Sequence, residues 1–128
     1  MLLDTTFLID LQRGLRHGRP AGAVRFLEER PAEPVSISLV SWLEFAEGYD
    51  TPREDVCRQF LSRFPLVLPD VPIAWRASRL SRTLRASGQP MADHDLWIAA
   101  TALELGRPLV TRNVRHFHAV PGLAVITY

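Results

Sequence analysis

Short apolar runs alternate with longer amphipathic stretches along the whole chain, separated by prolines and other turn residues. The runs are typical of buried strands, and they are Met1–Asp4, Val35–Ser38, Leu66–Leu68, Pro108–Thr111 and a last one near Leu123–Ile126. This alternation of strand and helix favours a mainly parallel sheet covered on both faces. The pattern therefore predicts a three-layer α/β/α domain.

Helical periodicity and end signals predict helices between these strands. They run from about Thr6 to Gly14, Pro20 to Arg30, Leu39 to Gly48, Pro52 to Arg63, from Pro72 onward, and Asp93 to Leu105. Thr51–Pro52–Arg53–Glu54 matches a capping box with proline at the first helical position.

The helix after Pro72 carries one apolar stripe and a ring of arginines. Ile73, Ala77, Leu80 and Leu84 share a face and predict contact with the core. The basic side chains wind around about half of the helix, which is typical of a solvated face, and they are Arg76, Arg79, Arg82 and Arg85.

Composition excludes several classes of protein. With 128 residues, 47% of them hydrophobic, and no linker-like stretch, the chain is expected to form one domain over residues 1–128. All 15 basic residues are arginine, which excludes Schiff-base chemistry and phosphate-loop lysines. Cys57 is the single cysteine, so no internal disulfide forms, and its apolar neighbours predict a buried thiol. The start of the chain does not resemble a signal peptide and no apolar run is long enough to span a bilayer, so we expect a cytoplasmic protein without membrane contact.

Three acidic residues stand where an unpaired charge is costly. Asp4 ends the first strand, at the sheet edge where ligands bind in α/β folds. Glu44 shares a helix face with Val40, and Asp95 shares one with Ile98. Burying a carboxylate without a partner costs several kcal/mol of folding free energy.

Each acid alone also has a structural interpretation. Asp4 is suited to cap the next helix through the amides of Thr6 or Phe7. Glu44 and Glu47 would fit a solvated helix edge, and Asp95 would be stabilised by a helix dipole. Asp93 is predicted as the N-cap of its helix.

Taken together, the three acids favour a shared cation site. Clustered carboxylates repel one another, and a hard divalent ion such as Mg²⁺ or Mn²⁺ relieves that repulsion. Such an ion polarises phosphates and activates water, which is the chemistry of phosphodiester hydrolysis. The histidines lack a paired spacing on one helix face, so they are not predicted as ligands.

Four segments of the chain resemble the signature blocks of PIN-domain ribonucleases, and among these the VapC toxins of type II toxin–antitoxin systems. The first block is Met1–Asp10, and the others are Ser38–Gly48, Asp95–Ala100 and Leu109–Phe117. The resemblance covers essentially the whole chain and implies a PIN-like fold with a mainly parallel central sheet.

The resemblance also assigns roles to individual residues. It implies that Asp4, Glu44 and Asp95 bind Mg²⁺, with Mn²⁺ as a substitute, and that the hydroxyls of Thr6 and Thr111 position a carboxylate or a metal-bound water. Asn113 stands where many relatives carry a fourth acid, and its amide brings no charge to hold a second metal. Arg112 and Arg115 flank Asn113. Either their guanidinium groups clamp RNA phosphates, or the two residues are ordinary surface arginines.

The implied protein is a metal-dependent endoribonuclease, a homodimer inhibited by a VapB-like antitoxin. Two alternatives stay open. One is a PIN-like module that binds RNA or protein without cutting. The other is a receiver-like signalling domain with Asp70 as phospho-acceptor, against which the absence of lysine argues.

Overall fold

The computed structural model describes residues 1–18 and 22–128, so the predicted helix start at Pro20 lies outside the described part. Within that part the strands are β1 (Leu2–Leu3), β2 (Ser36–Ser38), β3 (Leu66–Val67), β4 (Leu109–Val110) and β5 (Val125–Ile126). They form one sheet in the order β3-β2-β1-β4-β5, and every pair is parallel. The predicted α/β class with a parallel sheet is confirmed. The carboxyl ends of β1, β2 and β4 therefore meet at one edge.

The helices cover both faces of the sheet. They are α1 (Thr5–His17), α2 (Gly22–Glu28), α3 (Leu39–Ala46), α4 (Glu54–Leu61), α5 (Val71–Ala86), α6 (Asp93–Glu104) and α7 (Val114–Phe117). Successive residues of a strand point to opposite faces, so Leu3 packs with α1 and α4 while Leu2 packs with α5 and α6. The predicted stripe of α5 is buried in the second of these cores.

Two local predictions are wrong. Thr51–Arg53 forms a 3₁₀ turn with Asp50 as its N-cap residue, and α4 begins only at Glu54, so the capping box does not start the helix. The Arg53 guanidinium instead pairs with the Asp50 carboxylate at 2.6 Å. The strand at Leu66–Leu68 was expected to be buried, but β3 lies at the edge of the sheet, where Leu66 is 44% and Leu68 62% exposed.

Three further findings concern the helices α5, α6 and α7. Ala92, and not Asp93, occupies the N-cap position of α6, and Asp93 is its exposed first residue. Asp70 caps α5 by accepting a hydrogen bond from the amide of Ile73 at 2.9 Å, which gives it a structural role. The short helix α7 was not predicted, and it places His116 beside α6.

No helix in residues 1–18 or 22–128 combines the length and apolarity that crossing a bilayer requires.

Candidate active site

Asp4 lies at the centre of the candidate site. It follows β1 at the N-cap position of α1 and is only 4% exposed. Its Oδ2 accepts hydrogen bonds from the hydroxyls of Thr6 at 3.0 Å and Thr111 at 2.6 Å. The carboxylate is thus held by hydroxyls and not by the helix amides, which corrects the capping interpretation. The two threonine hydroxyls thus fix the orientation of the carboxylate.

The charge of Asp4 is incompletely balanced. Both hydroxyl donors are neutral, and among the described residues no basic side chain forms an ion pair with Asp4. The amino end of α1 supplies partial positive charge, worth about 0.3–1 kcal/mol at exposed sites and up to ~2 kcal/mol when partly buried. A bound cation would add the full positive charge that neither the hydroxyls nor the helix end provides.

Glu44 on α3 is joined to two other parts of the edge. Its Oε2 accepts a hydrogen bond from the hydroxyl of Thr5, and its Oε1 lies 3.1 Å from Nδ1 of His94 on α6. The Glu44 side chain is 25% exposed, whereas Glu47 lies exposed at the end of α3. These two contacts hold the Glu44 side chain at the sheet edge, partly shielded from solvent. The interpretation of Glu44 as part of a solvated helix face is therefore wrong.

Asp95 stands in the first turn of α6 with its side chain 22% exposed. Its Oδ2 lies 3.1 Å from Nδ1 of His116 on α7. The helix dipole favours an acid at this position, so the structural interpretation of Asp95 remains compatible with a functional one.

The sequence did not predict three of these contacts. Thr5 reaches Glu44 across 39 positions, His94 reaches it across 50, and His116 reaches Asp95 across 21. The histidines lack a metal-binding spacing, yet His94 and His116 each contact a candidate ligand instead of replacing it. The one local signal was the adjacency of His94 and Asp95 in the chain.

The residues after β4 form the opposite border of the site. The backbone amide of Asn113 donates to the Thr111 hydroxyl at 3.0 Å, and Asn113 is the N-cap residue of α7. Arg112 pairs with Asp10 of α1 at 2.9 Å, while Arg115 lines a cavity together with Asp95. Arg112 is thus tied to the protein, and Arg115 faces open space.

Asp10 binds a second group besides Arg112. It accepts a hydrogen bond from the Tyr128 hydroxyl at 2.9 Å. Burial, followed by this hydrogen bond, raises the pKa of Tyr128 well above its usual value of 10.0. Tyr128 also packs edge-on against Phe7, so the last residue is fixed to α1 close to the site.

The donor chemistry fits a hard divalent ion. Carboxylate oxygens are the ligands that Mg²⁺ prefers, and here they come from three elements joined at one edge by the contacts of Thr5 and His94. Among residues 1–18 and 22–128, however, no three Asp, Glu, His or Cys side chains lie close enough together to enclose an ion. Glu44 and Asp95 are each turned toward a histidine instead.

Comparisons with known proteins agree with this fold. The family model described as PIN domain matches residues 1–123. Ribonuclease VapC19 of Mycobacterium tuberculosis is 34% identical over 123 residues, which span 95% of both chains. Ribonuclease VapC1 of Methanocaldococcus jannaschii is 32% identical over 129 residues, covering 100% of this chain and 86% of that protein.

Solved structures show the same likeness. A toxin–antitoxin complex from Klebsiella pneumoniae contains a chain that is 33% identical, with a TM-score of 0.75 over 98% of this chain and 95% of that one. VapBC2 from Rickettsia felis, bound to a DNA fragment from its promoter, is 21% identical and shares the fold, with a TM-score of 0.84 over 99% and 97% of the two chains. The chain belongs to the PIN-domain family, whose model matches it over residues 1–123.

Proposed function

We propose that this protein is a metal-dependent endoribonuclease that acts as the toxin of a type II toxin–antitoxin pair. The observation that carries the proposal is the buried Asp4 carboxylate, held by two neutral hydroxyls at the edge that also presents Glu44 and Asp95. Full-length similarity to proteins named Ribonuclease VapC supports the same activity.

In this proposal Asp4, Glu44 and Asp95 hold Mg²⁺, for which Mn²⁺ substitutes. The ion, when bound, polarises the scissile phosphate and lowers the pKa of a water that serves as nucleophile. Thr6 and Thr111 keep the Asp4 carboxylate in one orientation, and Thr5 does the same for Glu44. Because Asp4 is fixed in this way, its carboxylate needs little reorganisation when the ion and the substrate arrive.

The border of the site binds the RNA backbone. Arg115 is exposed beside Asp95 and is suited to bidentate contact with a phosphate. Arg112 offers a second guanidinium, oriented by its ion pair with Asp10. Asn113 contributes a neutral amide, so we expect a single tightly held ion.

The test is cleavage of RNA by purified, antitoxin-free protein with Mg²⁺, followed by removal of the metal with EDTA. Loss of a group that only supports a metal ligand costs roughly 10- to 100-fold, so loss of a ligand should cost about 100-fold or more. Asp4→Asn and Asp95→Asn should therefore abolish measurable cleavage. Asp93→Asn is the matched control, because Asp93 is an exposed acid two positions from Asp95 and should cleave like the parent.

Undiminished cleavage by both variants, or cleavage insensitive to EDTA, would refute the metal-dependent mechanism. A wild-type protein that binds RNA but never cuts it would instead support the non-cleaving module.

The proposed partners are a VapB-like antitoxin and a second copy of the chain, in the cytoplasm where RNA is available. The neighbouring structures include VapBC complexes, which supports the antitoxin. Co-expression with the antitoxin should suppress cleavage, and light scattering of the purified toxin should give the mass of a dimer. Full cleavage in the presence of the antitoxin would contradict this pairing.

A further inference from the structure

A cavity of about 340 Å³ opens directly beside Asp95. One wall is the loop between α5 and α6, with Gln89 and Met91, and the other is α7, with Arg115 and His116. Its volume lies at the lower end of the range for small-ligand sites, roughly 300–1,000 Å³. The catalytic proposal uses only its rim, at Asp95 and Arg115.

The loop wall is fixed by the backbone. Gly88 has a φ of 71°. Its backbone amide donates to the Arg85 carbonyl at 3.1 Å, and the backbone amide of Gln89 donates to the Leu84 carbonyl at 2.8 Å. This pair of bonds is the Schellman motif, which ends a helix in a defined geometry. The Gln89 side chain is exposed and starts from this fixed point.

The opposite wall is fixed through Asp95. The contact of His116 Nδ1 with Asp95 holds one edge of the imidazole, while the His116 side chain remains 59% exposed. An immobilised, accessible ring offers its face for stacking, and the neighbouring Arg115 adds a guanidinium plane and a positive charge.

These groups match the needs of one unstacked nucleotide. Single-stranded RNA is recognised by bases that stack on histidine, aromatic or arginine side chains and form hydrogen bonds along their edges. Met91 supplies an adaptable apolar surface and Gln89 both a donor and an acceptor. A free phosphate would use Arg115 but would gain nothing from Met91.

Resting on the proposed nuclease function, we propose that this cavity binds the nucleobase next to the scissile phosphate and sets the sequence preference of cleavage. Gln89 reads the edge of the base, His116 and Met91 contact its faces, and Arg115 binds its phosphate. Asp95 then borders both the bound base and the metal that it helps to hold, which fixes the distance from the recognised base to the bond that is cut.

The first test locates the ligand without requiring cleavage. The chain has two methionines, of which Met91 lines the cavity and Met1 is buried at the start of β1. With ¹³C-methyl methionine and EDTA present, we expect millimolar nucleoside 5′-monophosphates to shift the Met91 signal saturably and to leave Met1 unchanged. Inorganic phosphate alone should leave both signals in place. No shift of Met91 with any of the four nucleotides, or an equal shift with phosphate, would overturn the inference.

The second test measures specificity. Cut sites mapped in an RNA pool of random sequence should show a base preference at one position next to the cut, and Gln89→Ala should reduce it about fivefold or more. Gln59→Ala, which removes an exposed glutamine from α4, should keep the preference. An unchanged preference in Gln89→Ala would overturn the inference while leaving the nuclease function intact. Absence of any cleavage by the parent would overturn the proposed function, whatever the methionine signals show.

Discussion

The Thr111 hydroxyl donates a 2.6 Å hydrogen bond to Oδ2 of Asp4, joining the ends of the neighbouring strands β4 and β1 across 107 positions of sequence. Both side chains are buried. The bond therefore belongs to the core of the protein as much as to the candidate site.

Thr111→Val keeps the shape of the side chain and removes its hydroxyl. Because hydrogen bonds to charged groups contribute about 1.5–3 kcal/mol, we expect the free energy of unfolding to fall by that amount and cleavage to weaken. Urea denaturation measures the first effect. The control is Thr83→Val, whose hydroxyl donates to the Arg79 carbonyl on the exposed face of α5 and whose loss should change stability by less than about 0.5 kcal/mol. Equal effects of the two substitutions would contradict the role given to Thr111.

His94→Ala removes the histidine that contacts Glu44. Groups that orient a metal ligand are worth roughly 10- to 100-fold in metal affinity or activity. We therefore expect the Mg²⁺ concentration for half-maximal cleavage to rise about 10-fold or more. His118→Ala removes an exposed histidine of the same part of the fold and should leave that concentration unchanged. If His94→Ala cleaves with the parent's metal dependence, the contact with Glu44 has no functional role.

Tyr128 predicts a loss of stability at high pH. Its pKa is raised in the folded protein, so above about pH 10 the unfolded chain releases the phenolic proton while the folded chain retains it. The free energy of unfolding should therefore decline as the pH rises from 10 toward the folded-state pKa. Tyr128→Phe lacks this group, so its stability deficit relative to the parent should shrink over that range. A deficit that stays constant from pH 8 to 11 would contradict the assignment.

Two leucines that the sequence predicts to be buried separate the core from the sheet edge. Leu84 is 1% exposed, and Leu84→Ala should cost about 2–5 kcal/mol. Leu68 is 62% exposed, and Leu68→Ala should stay within about 0.5 kcal/mol of the parent. Thermal or urea unfolding of both variants checks this contrast. A large loss in Leu68→Ala would indicate that another surface covers β3.

Hydrophobic patterning was sufficient for most of the fold. The stripe of α5 follows from a period of 3.6 residues, and the strands around Leu3 and Ile37 follow from short runs that burial on both faces of a sheet favours. The same patterns do not say which strand lies at an edge. Leu66–Leu68 has the apolar composition of a central strand, and only the order of the strands places it beside solvent.

The candidate acids could be proposed from the sequence, but their contacts could not. Asp4, Glu44 and Asp95 stand out because charge is costly on an apolar face. The contact of His116 with Asp95 depends on α7, a single turn too short to give a periodic signal. Helix ends were also uncertain, since an acid such as Asp93 serves as well inside the first turn as at the cap.

The position of β1 in the middle of the sheet has a consequence for biosynthesis. A growing polypeptide leaves the ribosome amino end first, and a domain folds as a unit. Asp4 emerges among the first residues, but β4, which pairs with β1, and Thr111, which fixes its carboxylate, follow more than a hundred residues later. A nascent chain therefore carries the candidate acid without the strand that orients it. The candidate site is complete only after that strand has left the ribosome.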